Sequence, residues 1–504
     1  MILPPFRRLQ AISQGHEANS READPGPRLF RGRRKRAGYD VSAQSEGGQG
    51  AMVAITRRAL LARVSSLAAT AVLGGLEPRL RAARRELQAS ATGAGPRSIS
   101  GLTARDDAFL DDFSRRAFRF FCEHQNPQTG LVLDRARTDG AEDTSTGPPA
   151  ASIAATGFGL TAYCIGAERG WADEAELRGR VRAALCFFAQ HAAHEHGWFY
   201  HFLEPATGRR MWACELSSID TALLLAGILT ARQRFHDDAE IVRLATAIYE
   251  RVDFHWMLNG DRHLLSMGWK PESGFLSGRW DSYSELMVIY ALAIGSPKHA
   301  IPAEAWYAWK RPLMTYDGYA YVGCTCATLF TQQYSQAWLD FRHRRERRGS
   351  HLDWFRNSEA ATRAHRAFCL SLVKRFPGYS ANVWGVTPSD SARGYVAWGG
   401  PPFDSRIDGT VVPCAAGGSL MFAPDICLPA LRAMRDNFGG RIFGRYGFAD
   451  AFNPSTGWVD PDVIGIDVGI TMLSAENLRS GEVWNWFMKN PEMDRVMNVE
   501  FERA

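Results

Sequence analysis

From residue 105 onward the chain reads as one helix after another with short breaks, and this succession limits the fold more than any other feature. Apolar residues recur near helical spacing in 106–124, where Phe109, Phe113, Phe120 and Phe121 mark one face, and again in 151–168, 173–194, 217–235 and 239–258. Further helices are expected at 283–294, 324–345, 353–376, 428–437 and 470–479. Strand-like patches are few, the clearest being 198–203 and 209–213 around a turn at 205–208. Roughly ten to twelve helices in one domain call for stacked antiparallel hairpins. No motif of 34 or 40 residues repeats, which favours a closed ring of hairpins over an open solenoid.

At 504 residues the chain could hold several domains, but no Ser/Gly/Pro-rich linker divides it after about residue 100, so one large domain is the simpler reading. Apolar residues make up 45%, enough for a sizeable core. The 15 Trp, 14 Tyr and 28 Phe exceed what core packing requires, so some rings are expected to face a ligand. The net charge of +5 is unevenly placed: 16 Lys/Arg stand against 7 Asp/Glu in residues 1–91, leaving 43 against 47 in residues 92–504. The body is mildly acidic, which removes the electrostatic footprint of a nucleic-acid binder.

The basic surplus lies in a leader. Residues 1–51 are polar, arginine-rich and unpatterned, and read as a non-native or disordered extension with Met52 as the true start. In residues 52–91, Thr56, Arg57 and Arg58 precede a short Leu/Ala/Val run that ends near Leu76 and is broken by Arg63. The run is too short to span a bilayer, so no stable membrane insertion is expected. It resembles a twin-arginine export signal, with Ala89-Ser90-Ala91 as a candidate cleavage site, which places the mature protein in the periplasm or outside the cell. An amphipathic N-terminal helix is the competing reading. Nine scattered cysteines, odd in number and without paired CxxC spacing, argue against a disulfide framework or a zinc site and read as buried thiols. Export of an already folded chain would suit them.

In a ring of hairpins the loops of one rim converge on a central cleft. Here the Gly-, Trp- and Asp-rich loops are GWFYHFLEPATGRRMW, GWKPESGFLSGRWDSYSE, WGVTPSDSARGYVAWGGPPFDSRIDGT and YGFADAFNPSTGWVDPDVIGID. Three carboxylates stand out beside helix starts: Asp139 and Asp143 in TDGAEDTSTGPP, and Glu215 in MWACELSSIDTALLLAG. Ser217 and Asp220 match a capping box, which explains Asp220 structurally. Glu215 has no such duty, and Trp212 and Cys214 beside it would desolvate it toward what a general acid needs. Asp139 and Asp143, held close, could not both ionise freely, although a solvated surface loop explains them equally well.

Among other residues, Phe330, Tyr334, Trp338 and Phe341 form a helical stripe that reads as core, while Gln333 and Arg342 fall away from it and could line a sugar site. Tyr319 follows in a Tyr-Asp-Gly-Tyr segment, and Trp280 lies in a rim loop. Trp384, Trp398 and Trp458 sit in Gly-rich loops and read as stacking platforms for pyranose faces. No phosphate cradle, GxSxG elbow or HExxH motif is present, so paired carboxylates are the catalytic chemistry with support. That pattern points to glycoside hydrolysis.

The segments SIAATGFGLTAYCI, ELSSIDTALLLAG, SYSELMVIYALAIGSP, DGYAYVGCTCATLF, QQYSQAWLDFR, AWGGPPFDSRIDGTVVPCAAGGSLMFAPDICLPALRAMR and YGFADAFNPSTGWVDPDVIGIDVGITMLSAEN resemble the glycoamylase-like family that contains the bacterial endo-β-1,2-glucanases of glycoside hydrolase family 144. The resemblance covers about residues 105–500. It implies an all-α fold, an (α/α)6 barrel within 92–504, β-1,2-glucan as substrate, hydrolysis with inversion, and neither cofactor nor required metal. It maps the family's acidic residues onto Asp139, Asp143 and Glu215. Trp212, Trp280, Tyr319, Gln333, Arg342, Trp384, Trp398 and Trp458 are the expected substrate contacts, and the protein is expected to act as a monomer. The family also includes exo-acting members that release sophorose, and related domains occur in cyclic glucan synthases.

Overall fold

The computed structural model describes residues 101–141, 148–325 and 327–504. The expected extension and export signal, and Asp143, lie outside the described residues. Helices alternate between two layers. The outer layer contains α1 (Ala104–Glu123), α3 (Glu174–Gln190), α5 (Ala239–Glu250) with the short α6 (Phe254–Leu258), α8 (Ala305–Ala308), α10 (Trp354–Ser371) and α12 (Pro424–Phe438). The inner layer contains α2 (Ile153–Arg169), α4 (Ser218–Arg234), α7 (Met287–Gly295), α9 (Phe330–Gln333) with a 3-10 turn at Ser335–Ala337, α11 (Pro413–Gly417) and α13 (Gly465–Arg479). Six outer–inner pairs follow one another, and the ring closes where α13 packs on α2.

The layers differ because their sequences do. All nine residues of α7 are buried, and α2, α4 and α13 are buried over nearly their whole length, so these segments are small and apolar all round. The outer α1 and α5 bury one stripe only. The closest approach of inner helices depends on glycine: a Cβ on Gly227 would lie 2.0 Å from the Gly157 carbonyl oxygen, and one on Gly157 2.3 Å from that of Leu223. Any side chain there would push α2 and α4 apart.

The inner helices start at one rim, stitched by short antiparallel strands. Ala151–Ser152 pairs with Phe202–Leu203 before α2, Leu216–Ser217 with Gly268–Lys270 before α4, and Arg135–Arg137 with Asp462–Ile464 before α13. Ser152 Oγ accepts from Ala155 N at 3.3 Å. Ser217 Oγ accepts from Asp220 N at 3.2 Å, so Ser217 caps the helix as expected, and its hydroxyl donates to Asp220 Oδ2. At the opposite end, α14 (Glu482–Met488) packs on α4, and α15 (Pro491–Glu500) packs on α7. There Arg232, in the last turn of α4, donates to Asn490 Oδ1 and pairs with Glu492 at 2.6 Å.

Two expected helices are cut short. Residues 239–258 divide into α5 and α6, with Asp253 capping the second piece through its 3.0 Å acceptance of Trp256 N. Residues 324–345 hold only α9 and the 3-10 turn. Gln332, Gln333 and Gln336 are buried there and bond across to neighbouring segments, and Ala327 and His343 take left-handed conformations that end regular helix on either side. The eight described cysteines are free thiols and six are buried, in line with the sequence reading. No described helix is long and apolar enough to cross a membrane.

Candidate active site

Glu215 sits two residues before the Ser217 cap of α4, where the chain enters the rim. Trp212 and Ala213 both adopt left-handed backbone conformations just upstream, with φ of 51° and 47°. Non-glycine residues seldom do so, and each costs about 1–3 kcal/mol. The strain is tied to a fixed hydrogen-bond pattern: His201 N donates to the Glu215 carbonyl at 3.0 Å, and Cys214 N donates to the Met211 carbonyl at 3.0 Å. The Glu215 side chain is 14% exposed, and its Oε1 lies 3.2 Å from His201 Nδ1. The other ring nitrogen, Nε2, lies 3.6 Å from Asp220 Oδ2. A buried imidazole thus stands between two carboxylates at the start of α4.

A second group gathers at the start of α13. Arg135 reaches Asp390 Oδ2 at 2.7 Å, Asp134 Oδ2 at 3.4 Å and Asp462 Oδ2 at 3.6 Å. Asp450 Oδ2 accepts from Asp390 N at 3.2 Å, and Asp460 Oδ1 accepts from Asp462 N at 3.0 Å. Tyr334 OH bonds to Asp467 Oδ1 at 3.4 Å. A cavity of about 20 Å³, room for one water, is lined by Cys414, Asp450 and Asp467 among others. Burial dominates the titration of three of these acids, Asp134, Asp450 and Asp460. Asp134 is pushed up by burial, against the pull of Arg135 and His201. Asp450 is pushed well up by burial and by Asp467 and Asp460. Asp460 is pushed up to about 8 by burial first and then by Asp390. Burial thus favours the protonated form of these three carboxyls, beside Asp390, which is paired with Arg135.

His201 acts electrostatically on Asp134, which links the two groups at the rim. Asp390, Asp460 and Asp462 could each offer one oxygen to a cation within 4.8 Å of the others, but the Arg135 guanidinium already supplies positive charge there.

The sequence-predicted residues divide. Asp139 lies in the turn that follows Arg135–Arg137, its side chain 64% exposed, with Oδ1 accepting from Ala141 N at 3.0 Å and 3.8 Å from Arg137 Nε. The adjacent Thr138 N donates to the Pro461 carbonyl at 2.7 Å, which anchors this turn beside the second group. Trp212 and Trp458 are half-buried and keep accessible ring surface.

The platform reading of Trp384 and Trp398 is corrected: their exposures are 0% and 1%, and Trp398 Nε1 is committed to Ser389 Oγ at 2.9 Å. Trp280 is likewise core, its Nε1 donating to Ser218 Oγ at 2.8 Å beneath the start of α4. Gln333 is buried and ties α9 to α11 through Ala415 O and Ser419 Oγ, so it does not line a sugar site. Arg342 is also corrected. It forks onto Asp340 at 2.8 Å and lies 4.1 Å from the ring of Trp484 in α14, at the end of the ring opposite the rim. Tyr319 belongs to a hairpin, Leu313–Tyr316 with Tyr319–Val322, that packs on the outer α10. It lines a cavity of about 360 Å³ with Tyr316, Arg363 and Arg366, in the outer layer.

Sequence reasoning missed His201, Asp134, Arg135, Asp390, Asp450, Asp460, Asp462 and Asp467. A usable signal existed: Asp450, Asp460, Asp462 and Asp467 fall within one Gly/Pro-rich rim loop and the first turn after it.

Alternating layers, an inner ring and carboxylates gathered where inner helices begin define a helical barrel with its candidate site at one rim. In comparison with known proteins, residues 277–491 match the family model described as "Glycoamylase: Putative glucoamylase". A curated relative, the exo β-1,2-glucooligosaccharide sophorohydrolase (non-reducing end) of Parabacteroides distasonis, is 28% identical over 427 residues, 77% of this chain. The match spans 57% of that relative's length. A putative glucoamylase of Bacteroides fragilis has a similar structure, with 28% identity, a TM-score of 0.72, and 81% of this chain and 100% of that one covered. The endo-β-1,2-glucanase of Chitinophaga pinensis, solved with sophorotriose and glucose, shares 26% identity with a TM-score of 0.71, covering 80% of this chain and 99% of that one.

Proposed function

We propose that this protein is an exported, monomeric glycoside hydrolase that cleaves β-1,2-glucan by an inverting acid/base mechanism. The observation that carries the reading is the Glu215–His201–Asp220 constellation at the rim, beside a second group of buried carboxyls. Inverting hydrolysis needs one carboxylic acid to protonate the leaving oxygen and a carboxylate about 6.5–9.5 Å away to activate water. Glu215 is assigned the acid role, because its partly buried side chain is oriented by a histidine while one edge still meets solvent. Asp139 or Asp143 is assigned the base role, acting through a water. Asn substitution at each separates the roles, since loss of the base lowers kcat while loss of a substrate ligand chiefly raises KM. Trp212 and Trp458 supply ring surface for sugar stacking. The twin-arginine-like segment supports export, and replacing Arg57 and Arg58 with lysine should strand the activity in the cytoplasm.

Linear β-1,2-glucan incubated with the purified protein, with the products sized, tests the reading. A ladder of sophoro-oligosaccharides is expected, and intact glucan would overturn it. A second reading, exo action, is favoured by the similarity to the sophorohydrolase, and sophorose as sole product would establish it.

A further inference from the structure

In the outer layer of the ring, Asp253, His255 and His299 each place one ligand atom within 4.8 Å of the other two. Asp253 and His255 lie at the corner where α5 gives way to α6, and His299 lies in the loop after α7. The carboxylate is fixed in advance. Asp253 N donates to the His196 carbonyl at 2.9 Å, the Asp253 carbonyl accepts Trp198 Nε1 at 2.9 Å, and Oδ1 caps Trp256 N at 3.0 Å. His299 is steadied by its own N–H, which donates to Ser296 Oγ at 3.1 Å.

The spacing is informative. His299 Nδ1 lies 3.7 Å from Asp253 Oδ1, and His196 Nδ1 lies 3.7 Å from Oδ2. Both distances exceed a hydrogen bond. They approach the separation of two ligands on one ion with bonds of about 2.0–2.1 Å. His196 is held at this carboxylate in a left-handed conformation (φ 52°), its ring stacked on Trp256 at 4.5 Å and 14°. A non-glycine residue in that region is costly, and strain of this kind concentrates at ligand sites.

We propose that Asp253, His255 and His299 form a transition-metal site of the zinc class, with His196 beside it on the other carboxylate oxygen of Asp253. Two imidazole nitrogens and one carboxylate oxygen are donors that suit Zn²⁺, whereas Ca²⁺ and Mg²⁺ favour all-oxygen sets. A bound ion would tie the α5–α6 corner to the loop after α7 and stabilise the outer wall, leaving the rim untouched.

The test is a calorimetric titration of untagged, chelator-treated full-length protein with ZnCl2, alongside thermal melts with ZnCl2 or CaCl2. One equivalent of zinc should bind and raise Tm, and calcium should leave Tm unchanged. His255→Ala combined with His299→Ala should weaken that binding at least tenfold, while His236→Ala, an exposed histidine elsewhere, should not. If the double variant folds poorly by circular dichroism, the exposed His255→Gln alone carries the comparison. Absence of a zinc equivalent in the wild type, equal binding by the variants, or an equal Tm rise with calcium would each overturn the assignment.

Discussion

His201 Nδ1 lies 3.2 Å from Glu215 Oε1, and the same two residues are joined through the backbone, His201 N donating to the Glu215 carbonyl at 3.0 Å. Ring and carboxyl are therefore held in one frame, and a change at His201 should misplace the Glu215 proton without emptying the substrate cleft. His201→Ala is expected to lower kcat by about 10²-fold with a smaller change in KM, the scale set by small misplacements of catalytic groups. The alkaline limb of the pH–rate profile should move as well, and His201→Asn should recover part of the rate. An unchanged pH profile would mean that His201 only fills space.

Asp460 gives a prediction about stability. Its folded-state pKa is pushed up to about 8, from an ordinary value of 3.8, by burial first and by Asp390 next. The folded chain thus holds a proton that the unfolded chain releases, so the stabilisation is fully present below about pH 4 and is lost as pH rises through about 8. Asp460→Asn keeps the shape and removes the titration. Its Tm should fall less than that of the wild type between pH 5 and pH 9, and parallel curves would place the protonated carboxyl elsewhere in the group.

The aromatic residues give opposite expectations. Trp384 is fully buried, so Trp384→Ala should cost about 3–5 kcal/mol of stability and show as a lowered Tm. Trp458 keeps ring surface at the rim, so Trp458→Ala should weaken glucan binding while Tm changes little. A stable Trp384→Ala with reduced affinity would reverse this reading.

Much of the fold was legible in the sequence because long apolar helices announce themselves by spacing and caps. Asp173, Ser217 and Asp353, where three expected helices begin, each accept a backbone N–H of the following helix. The failures came where burial was set by distant segments. The stripe at Phe330, Tyr334, Trp338 and Phe341 is buried as expected, yet the segment around it is mostly not helical, because buried glutamines bond across to other elements. Glycine-rich context made Trp384 and Trp398 look exposed, although such loops can also fold down over the ring. The carboxylates at Asp390, Asp450 and Asp460 were hidden for a related reason: the pairing of Arg135–Arg137 with Asp462–Ile464 joins segments far apart in sequence, and Asp390, 255 residues from Arg135, comes onto the same arginine.

The measurement that bears most directly on the central claim compares wild type with Glu215→Gln on linear β-1,2-glucan across pH. The wild type should give a bell-shaped profile and release oligosaccharides. The variant should remain folded, lose about 10²–10⁴-fold in rate, and lack the alkaline limb, because the proton whose loss shapes that limb is gone. Wild-type turnover by Glu215→Gln, or an unchanged alkaline limb in its residual activity, would contradict the assignment of Glu215 as the acid.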